Sequence, residues 1–109
     1  RFENMVAMEL FRAVSYWNDW GWGRFSLHFL RNKEKEEVDF LLVEDGKPLL
    51  LIETKLSDET PAKSLTKFQD ALGVPAVQLV DKKGVYRSIV RQGRPLTVVS
   101  AARWLAALP

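Results

Sequence analysis

Two acids and a lysine lie in neighbouring apolar stretches of the chain, at a spacing that suits metal-assisted chemistry. Asp39 lies in EVDFLL, whereas Glu53 and Lys55 lie in LLLIETKL. The turn DGK at 45–47 joins the two stretches, and Asp39 and Glu53 are each seven positions from residue 46. Because the strands of a hairpin run antiparallel about their turn, we expect the two carboxylates to lie across from each other.

Two adjacent carboxylates repel each other and need a cation between them. Hard divalent ions such as Mg²⁺ prefer oxygen ligands and retain waters, so we expect Mg²⁺ (or Mn²⁺) to bind Asp39, Glu53 and the backbone carbonyl of Thr54. Such a metal activates water and neutralises a phosphoryl transition state, and Lys55 would orient the water or stabilise developing charge. The alternative is a cross-strand salt bridge at a sheet edge, with Lys55 as the balancing cation.

The elements that position these residues are predicted from the spacing of apolar residues and from turn signals. Helices are predicted over 1–18, from the SDETPAKS segment to about Leu72 before Gly73, and over 101–108, and strands over 25–31, 38–44, 48–56 and 76–80, with strands or edge pieces at 85–91 and 96–100. The third strand is apolar at consecutive positions, so both of its faces should be covered. We predict an α/β fold with an αβββαβ core and a mixed central sheet flanked by helices.

The motifs resemble a known group of enzymes. VDF followed by LLLIETK resembles the D…(D/E)xK signature of the PD-(D/E)xK nuclease superfamily, although Val38 stands where that signature has proline. The αβββαβ order is similar to the restriction-endonuclease-like core of that superfamily. RFENMVAMEL, EVDFLL and IETKLSD resemble one branch more closely. This branch is DUF4143, a C-terminal nuclease-like domain of unknown function attached to prokaryotic AAA-type ATPases, and the resemblance extends from Arg1 to about Val80.

The resemblance implies a role for individual residues. Asp39 and Glu53 would be the metal ligands and Lys55 the catalytic lysine. Glu3, in the helix before the sheet, would lie near the metal, and Gln69 on the following helix would reach the site. The implied activity is that of a Mg²⁺-dependent nuclease that hydrolyses phosphodiester bonds of DNA. The alternative is a catalytically inactive nuclease-like module that binds nucleic acid or a partner protein for an attached ATPase.

Length and composition limit the number of domains and the cellular location that we expect. The 109 residues predict a single domain, with 47% hydrophobic and 28% charged residues, as in ordinary globular proteins. The chain has no cysteine, no secretory signal and no apolar run approaching the roughly 18 to 20 residues that span a bilayer, so we expect a cytoplasmic protein. It opens without an initiator Met or a helix N-cap residue, so we expect a piece of a longer polypeptide, and the resemblance implies that this piece is the C-terminal part of an ATPase chain.

The charge is unevenly distributed along the chain. Residues 1–75 contain 10 Lys and Arg against 13 Asp and Glu, whereas residues 76–109 contain six against one. A basic segment can face nucleic acid, and solvated surface charge is the alternative. Trp17, Trp20 and Trp22 in YWNDWGWGRF are suited to stacking on bases. The alternative for these rings is that they close one end of the core.

Overall fold

A six-stranded mixed sheet with helices on both faces forms the protein. The computed structural model describes residues 1–109. Its elements are α1 (Phe2–Asp19), β1 (Phe25–Arg31), β2 (Glu37–Glu44), β3 (Lys47–Lys55), α2 (Lys63–Leu72), β4 (Ala76–Val80), β5 (Tyr86–Arg91), β6 (Arg94–Ser100) and α3 (Ala101–Leu105). The predicted α/β class and the αβββαβ order of the first six elements are confirmed.

The strands are arranged in the order β1-β2-β3-β4-β6-β5. The β1–β2 and β2–β3 pairs are antiparallel, and β3, α2 and β4 then form a crossover that makes β3 and β4 parallel. β6 pairs parallel with β4 and antiparallel with β5, so the two segments that the sequence left between strands and edge pieces are both strands. None of the three helices is long and apolar enough to cross a membrane.

Two apolar cores lie on opposite faces of the sheet. On one face, Leu51 of β3 packs in a buried cluster with Leu65 of α2. On the other face, Ile52 packs in a second cluster that includes Val6 of α1 and Leu105 of α3. Successive residues of β3 therefore serve different cores, which explains why this strand is apolar at consecutive positions and confirms that both of its faces are covered.

Positive backbone φ angles occur at two of the predicted turns. Asp45 and Gly46, which close the β2–β3 hairpin, have φ of 51° and 79°, as the two central residues of a type I′ turn require. Gly73 ends α2 with φ of 67° in the left-handed region, where glycine carries no Cβ penalty. The turn and the helix end are both where the sequence predicts them.

Candidate functional site

The register of the β2–β3 hairpin directs Asp39 towards Glu53. One extra residue, Leu49, interrupts the pairing near the turn, and the ladder then runs regularly to the pair Phe40 and Ile52. Asp39 and Glu53 are the next residues beyond this last pair, and no backbone-to-backbone hydrogen bond joins them to each other. A hairpin with the same two-residue turn and no extra residue would instead set Asp39 opposite Ile52. The bulge therefore brings the two acids to adjacent positions at the end of the ladder, where the equal arms of the sequence predict them.

A second bulge changes the face on which Asp39 lies. Two residues of β2, Asp39 and Phe40, oppose a single residue of β1, Phe29. Because of this extra residue, Val38 and Leu41 both pack in the core below α2, whereas Phe40 packs in the core below α1. Bulges of this kind redirect side chains and increase the local twist.

The Asp39 carboxylate is bound by the residue between Glu53 and Lys55. Its Oδ2 accepts hydrogen bonds from the backbone N–H of Thr54 at 2.9 Å and from Thr54 Oγ1 at 2.6 Å. The Asp39 N–H in turn donates to Glu53 Oε1 at 3.0 Å. The two carboxylates thus accept backbone N–H groups just beyond the last backbone pair of the hairpin, and this fixes both acids at the point where the strands separate.

Burial and like charge both act on Glu53. Its side chain is 7% exposed, and burial raises its pKa to about 7, with a further rise from the nearby Asp39 carboxylate. The Asp39 N–H and the charge of Lys55 oppose this rise without cancelling it. Glu3, near the start of α1, also approaches Asp39: burial and the Asp39 charge raise the pKa of Glu3. Three carboxyl groups therefore follow one another across the sheet end, with Asp39 in the middle.

Lys55 does not neutralise these acids directly. Its side chain is half-buried and takes part in none of the ion pairs of the protein. The cross-strand salt bridge that the sequence offered as an alternative is therefore absent from the structure. The acid pair lacks a counter-ion from the chain, and the Lys55 ammonium remains uncommitted.

The donor set at this position suits a metal that needs few protein ligands. No group of three or more His, Cys, Asp and Glu side chains anywhere in the chain converges on a common point. Asp39 and Glu53 supply two carboxylates, and the backbone carbonyl of Thr54 lies between Glu53 and Lys55 in the chain. Mg²⁺ commonly binds through one or two carboxylates and completes its shell with waters and substrate phosphate. A zinc site, which needs three or four protein ligands, does not fit this set.

Gln69, the remaining residue implied by the resemblance, lies elsewhere. It is buried, and its Nε2 donates to the backbone carbonyls of Val74 at 3.1 Å and Pro95 at 2.9 Å. Its Oε1 accepts a hydrogen bond from Arg91 at 3.1 Å. Val74 lies just before β4 and Pro95 near the start of β6, whereas Glu53 lies near the end of β3. The structure therefore does not bring Gln69 to the carboxylates, because its amide is committed to joining α2 to the sheet.

Gln78 is a positioning residue that the sequence reasoning missed. It lies beside Glu53 in the parallel β3–β4 register and is fully buried. Its Nε2 donates to the carbonyls of Asp58 at 3.2 Å and Thr60 at 2.8 Å, and its Oε1 accepts from the Ala62 N–H at 2.9 Å. The amide thereby fixes the loop that follows Lys55. The available signal was one polar residue in the otherwise apolar strand AVQLV.

Two of the six bases in the second part of the chain form ion pairs within the protein, and a third contacts an aromatic ring. Lys82 Nζ lies 2.6 Å from Glu59, and Arg91 Nη1 lies 2.8 Å from Asp70. The Arg103 guanidinium lies 4.9 Å from the centre of the Tyr86 ring. Fewer basic side chains are therefore unpaired on the surface than the excess of Lys and Arg in residues 76–109 suggests.

The three tryptophans of YWNDWGWGRF differ in their exposure to solvent. Trp17 is half-buried and packs against Phe25, with ring centres 5.1 Å apart. Trp20 and Trp22 are exposed and lie beside Tyr16, outside the core. Of these three tryptophans, only Trp17 is partly buried.

The fold and the acids define an α/β domain with paired carboxylates at the end of a central hairpin. Residues 1–101 match the family model described as Domain of unknown function (DUF4143), and the chain belongs to this family. No curated protein and no solved structure shows significant similarity to the chain.

Proposed function

We propose that the protein is a Mg²⁺-dependent nuclease domain of the PD-(D/E)xK type that hydrolyses phosphodiester bonds of DNA. One observation carries this proposal: Asp39 and Glu53 adjoin at the end of the hairpin, and no cation of the chain pairs with them. An arrangement of this kind is costly unless a cation joins it. Metal binding gives the otherwise unfavourable acid pair a function.

The roles of the residues follow from their positions. Asp39, Glu53 and the Thr54 carbonyl would hold Mg²⁺ (or Mn²⁺). When bound, the ion would lower the pKa of a water and neutralise charge on the phosphoryl group. Lys55 projects from the same strand with no ion pair of its own, so its ammonium is available to orient the attacking water or a phosphoryl oxygen. Glu3 adds negative charge beside Asp39 and strengthens the local attraction for a cation.

The protonation state of Glu53 sets a condition on this chemistry. A carboxyl whose pKa is about 7 is half protonated at neutral pH, and the proton must leave before the oxygen binds a metal. Cleavage under limiting metal should therefore rise as the pH passes through about 7 and level off about one pH unit above it.

The partner in this proposal is an attached AAA-type ATPase. The support is the likeness of RFENMVAMEL, EVDFLL and IETKLSD to domains that follow such ATPases. A cytoplasmic location is part of the same proposal.

The test is cleavage of single-stranded, duplex and branched DNA, and of RNA, with and without Mg²⁺ or Mn²⁺. We expect metal-dependent cleavage by the wild-type protein and losses of about 100-fold or more in Asp39→Asn and Lys55→Met, because each variant removes a charge that acts on the transition state. Glu9→Gln is the matched control, since Glu9 lies on α1 and pairs with Arg12 rather than with the acid pair.

Two outcomes would contradict the proposal. Undiminished cleavage in Asp39→Asn and Lys55→Met would assign the activity to other residues or to a contaminant. Salt-dependent binding of nucleic acid by the wild-type protein, with no cleavage under any metal, would favour the catalytically inactive module.

A further inference from the structure

An exposed phenylalanine lies beside the acids. Phe29 is 72% exposed although it belongs to a strand of the central sheet. It is the single β1 residue opposite the bulge formed by Asp39 and Phe40. Its ring lies near that of the buried Phe40, with centres 5.9 Å apart and planes inclined by 33°. Phe40 thus supports one side of the Phe29 ring, and the rest of the ring is open to solvent.

Phe29 and Asp39 line the same cleft. The cleft lies between the start of α1 and the adjacent ends of β1 and β2, and its charged lining includes Glu3 and Arg31. Arg31 is largely exposed, and its Nε lies 3.5 Å from Glu37. An aromatic face, a cation and the acid that would bind the metal therefore share one surface depression.

We propose that Phe29 stacks on an unpaired nucleobase next to the phosphate that is cleaved, so that the domain acts on single-stranded rather than continuous duplex nucleic acid. This inference rests on the proposed nuclease function. Both faces of a base inside a duplex are covered by its neighbours, so only an unpaired base can lie on the Phe29 ring. Arg31 is placed to contact a phosphate of the same strand.

The bulge gives this arrangement its physical basis. Without the extra residue in β2, Asp39 and Phe40 would alternate between the two faces of the sheet. With it, Asp39 is redirected while Phe40 stays in the core below Phe29. One backbone irregularity thus positions a metal-binding acid and a supported aromatic ring in the same cleft.

The experiment measures binding by fluorescence anisotropy with a labelled short oligothymidylate and with a labelled DNA duplex of equal length. Ca²⁺ replaces Mg²⁺ so that binding is measured without cleavage. We expect the wild-type protein to bind the single strand more tightly than the duplex. Phe29→Ala should weaken binding to the single strand by roughly tenfold and leave duplex binding unchanged, because stacking on one base is lost.

Two further variants separate stacking from general apolar contact. Phe29→Trp should bind the single strand at least as tightly as the wild type, whereas Phe29→Leu should weaken binding as Phe29→Ala does. Phe11→Ala is the matched control, since Phe11 is an exposed phenylalanine on α1, 55% accessible, that does not line the cleft. Thermal unfolding of each variant checks that the fold is intact, and because Phe29 is exposed we expect its replacement to leave the core unchanged.

The outcomes distinguish this inference from the proposed function. Unchanged single-strand affinity in Phe29→Ala, or an equal loss on single strand and duplex, would overturn the stacking role even if metal-dependent cleavage is present. Loss of cleavage in Asp39→Asn with no effect of Phe29→Ala on substrate preference would leave the proposed function standing and this inference refuted. If the wild-type protein binds neither substrate, both fail.

Discussion

Glu53 combines deep burial with a neighbouring carboxylate. Its protonated form is therefore favoured by loss of solvation, which is the largest effect, by the charge of Asp39 and by a side-chain hydrogen bond with Asp39. One hydrogen bond from the Asp39 N–H and the more distant Lys55 charge act in the opposite direction. In the absence of metal, the buried charge of ionised Glu53 lowers the stability of the folded protein at neutral and alkaline pH. This cost is the expected counterpart of a site that binds a cation.

The pH dependence of unfolding tests this description of Glu53. Its pKa is about 7 in the folded protein and near 4.5 in the unfolded chain, so the folded state binds the proton more tightly. The stabilisation from this proton is fully present below pH 4.5 and is lost as the pH rises through 7. Relative to Glu53→Gln, the free energy of unfolding of the wild-type protein should fall by up to about 3 kcal/mol between pH 4.5 and pH 8.

The measurement is urea unfolding of both proteins across this pH range in the presence of a chelator. Glutamine has the shape of protonated glutamate and still offers an oxygen to the Asp39 N–H. Titrating groups distant from Glu53 contribute equally to both proteins and cancel in the difference, whereas Asp39 interacts with Glu53 and titrates as part of the same pair. Parallel stability curves for the two proteins would show that Glu53 ionises normally in the fold.

The secondary structure elements place the acids through two departures from regular pairing. The bulge at Leu49 sets the register of the hairpin, and the bulge at Asp39 and Phe40 changes the face. Beyond these points the hairpin ladder stops, while β3 continues beside β4 as far as the pair Lys55 and Val80. The site thus forms where β3 stops pairing with β2 and continues to pair with β4.

The buried amide of Gln78 ties the loop after Lys55 to β4, and its removal should loosen this loop. Gln78→Leu leaves the Ala62 N–H and two backbone carbonyls without their partner, so we expect a loss of about 1–3 kcal/mol in the free energy of unfolding. Faster cutting by endoproteinase Glu-C after Glu59 should accompany it. Gln69→Leu is the matched control, because it removes an equally buried amide from a different place.

The two variants should differ in one measurement and agree in the other. Both should unfold more easily in urea, but only Gln78→Leu should be cut faster after Glu59 under native conditions. Equal rates of cutting in the two variants would show that Gln78 contributes only to general stability.

The sequence predicts the elements well because their signals are local. The Asp45-Gly46 turn, the end of α2 at Gly73 and the double-sided burial of β3 each follow from a few adjacent residues. A bulge depends on the twist and packing of two paired strands and not on a few adjacent residues. The face of the sheet on which Asp39 lies could therefore not be predicted from the sequence. The buried position of Gln69 could partly be predicted from the sequence, because Gln69 lies four residues after Leu65 and therefore on the same, inner face of α2.

At the scale of the whole molecule, the fold redistributes the charges of the sequence. Acids of the first 75 residues meet bases of the remainder, as in the pairs formed by Glu59 with Lys82 and Asp70 with Arg91. Sequence position alone therefore overstated the basic surface. No base from either part of the chain pairs with Asp39 or Glu53, and Glu53 differs from the exposed unpaired acids because its side chain is only 7% exposed. The acid pair therefore combines a buried carboxyl group with the absence of a paired base.

Titration calorimetry with Mn²⁺ tests this central claim most directly. We predict that the wild-type protein binds Mn²⁺ at pH 8 and that Asp39→Asn and Glu53→Gln lose this binding, whereas Glu9→Gln keeps it. Since a proton on Glu53 competes with the metal, the wild-type affinity should be roughly tenfold weaker at pH 6 than at pH 8. Equal Mn²⁺ binding by the wild type and both site variants, or a wild-type affinity independent of pH, would contradict a metal site built on Asp39 and Glu53.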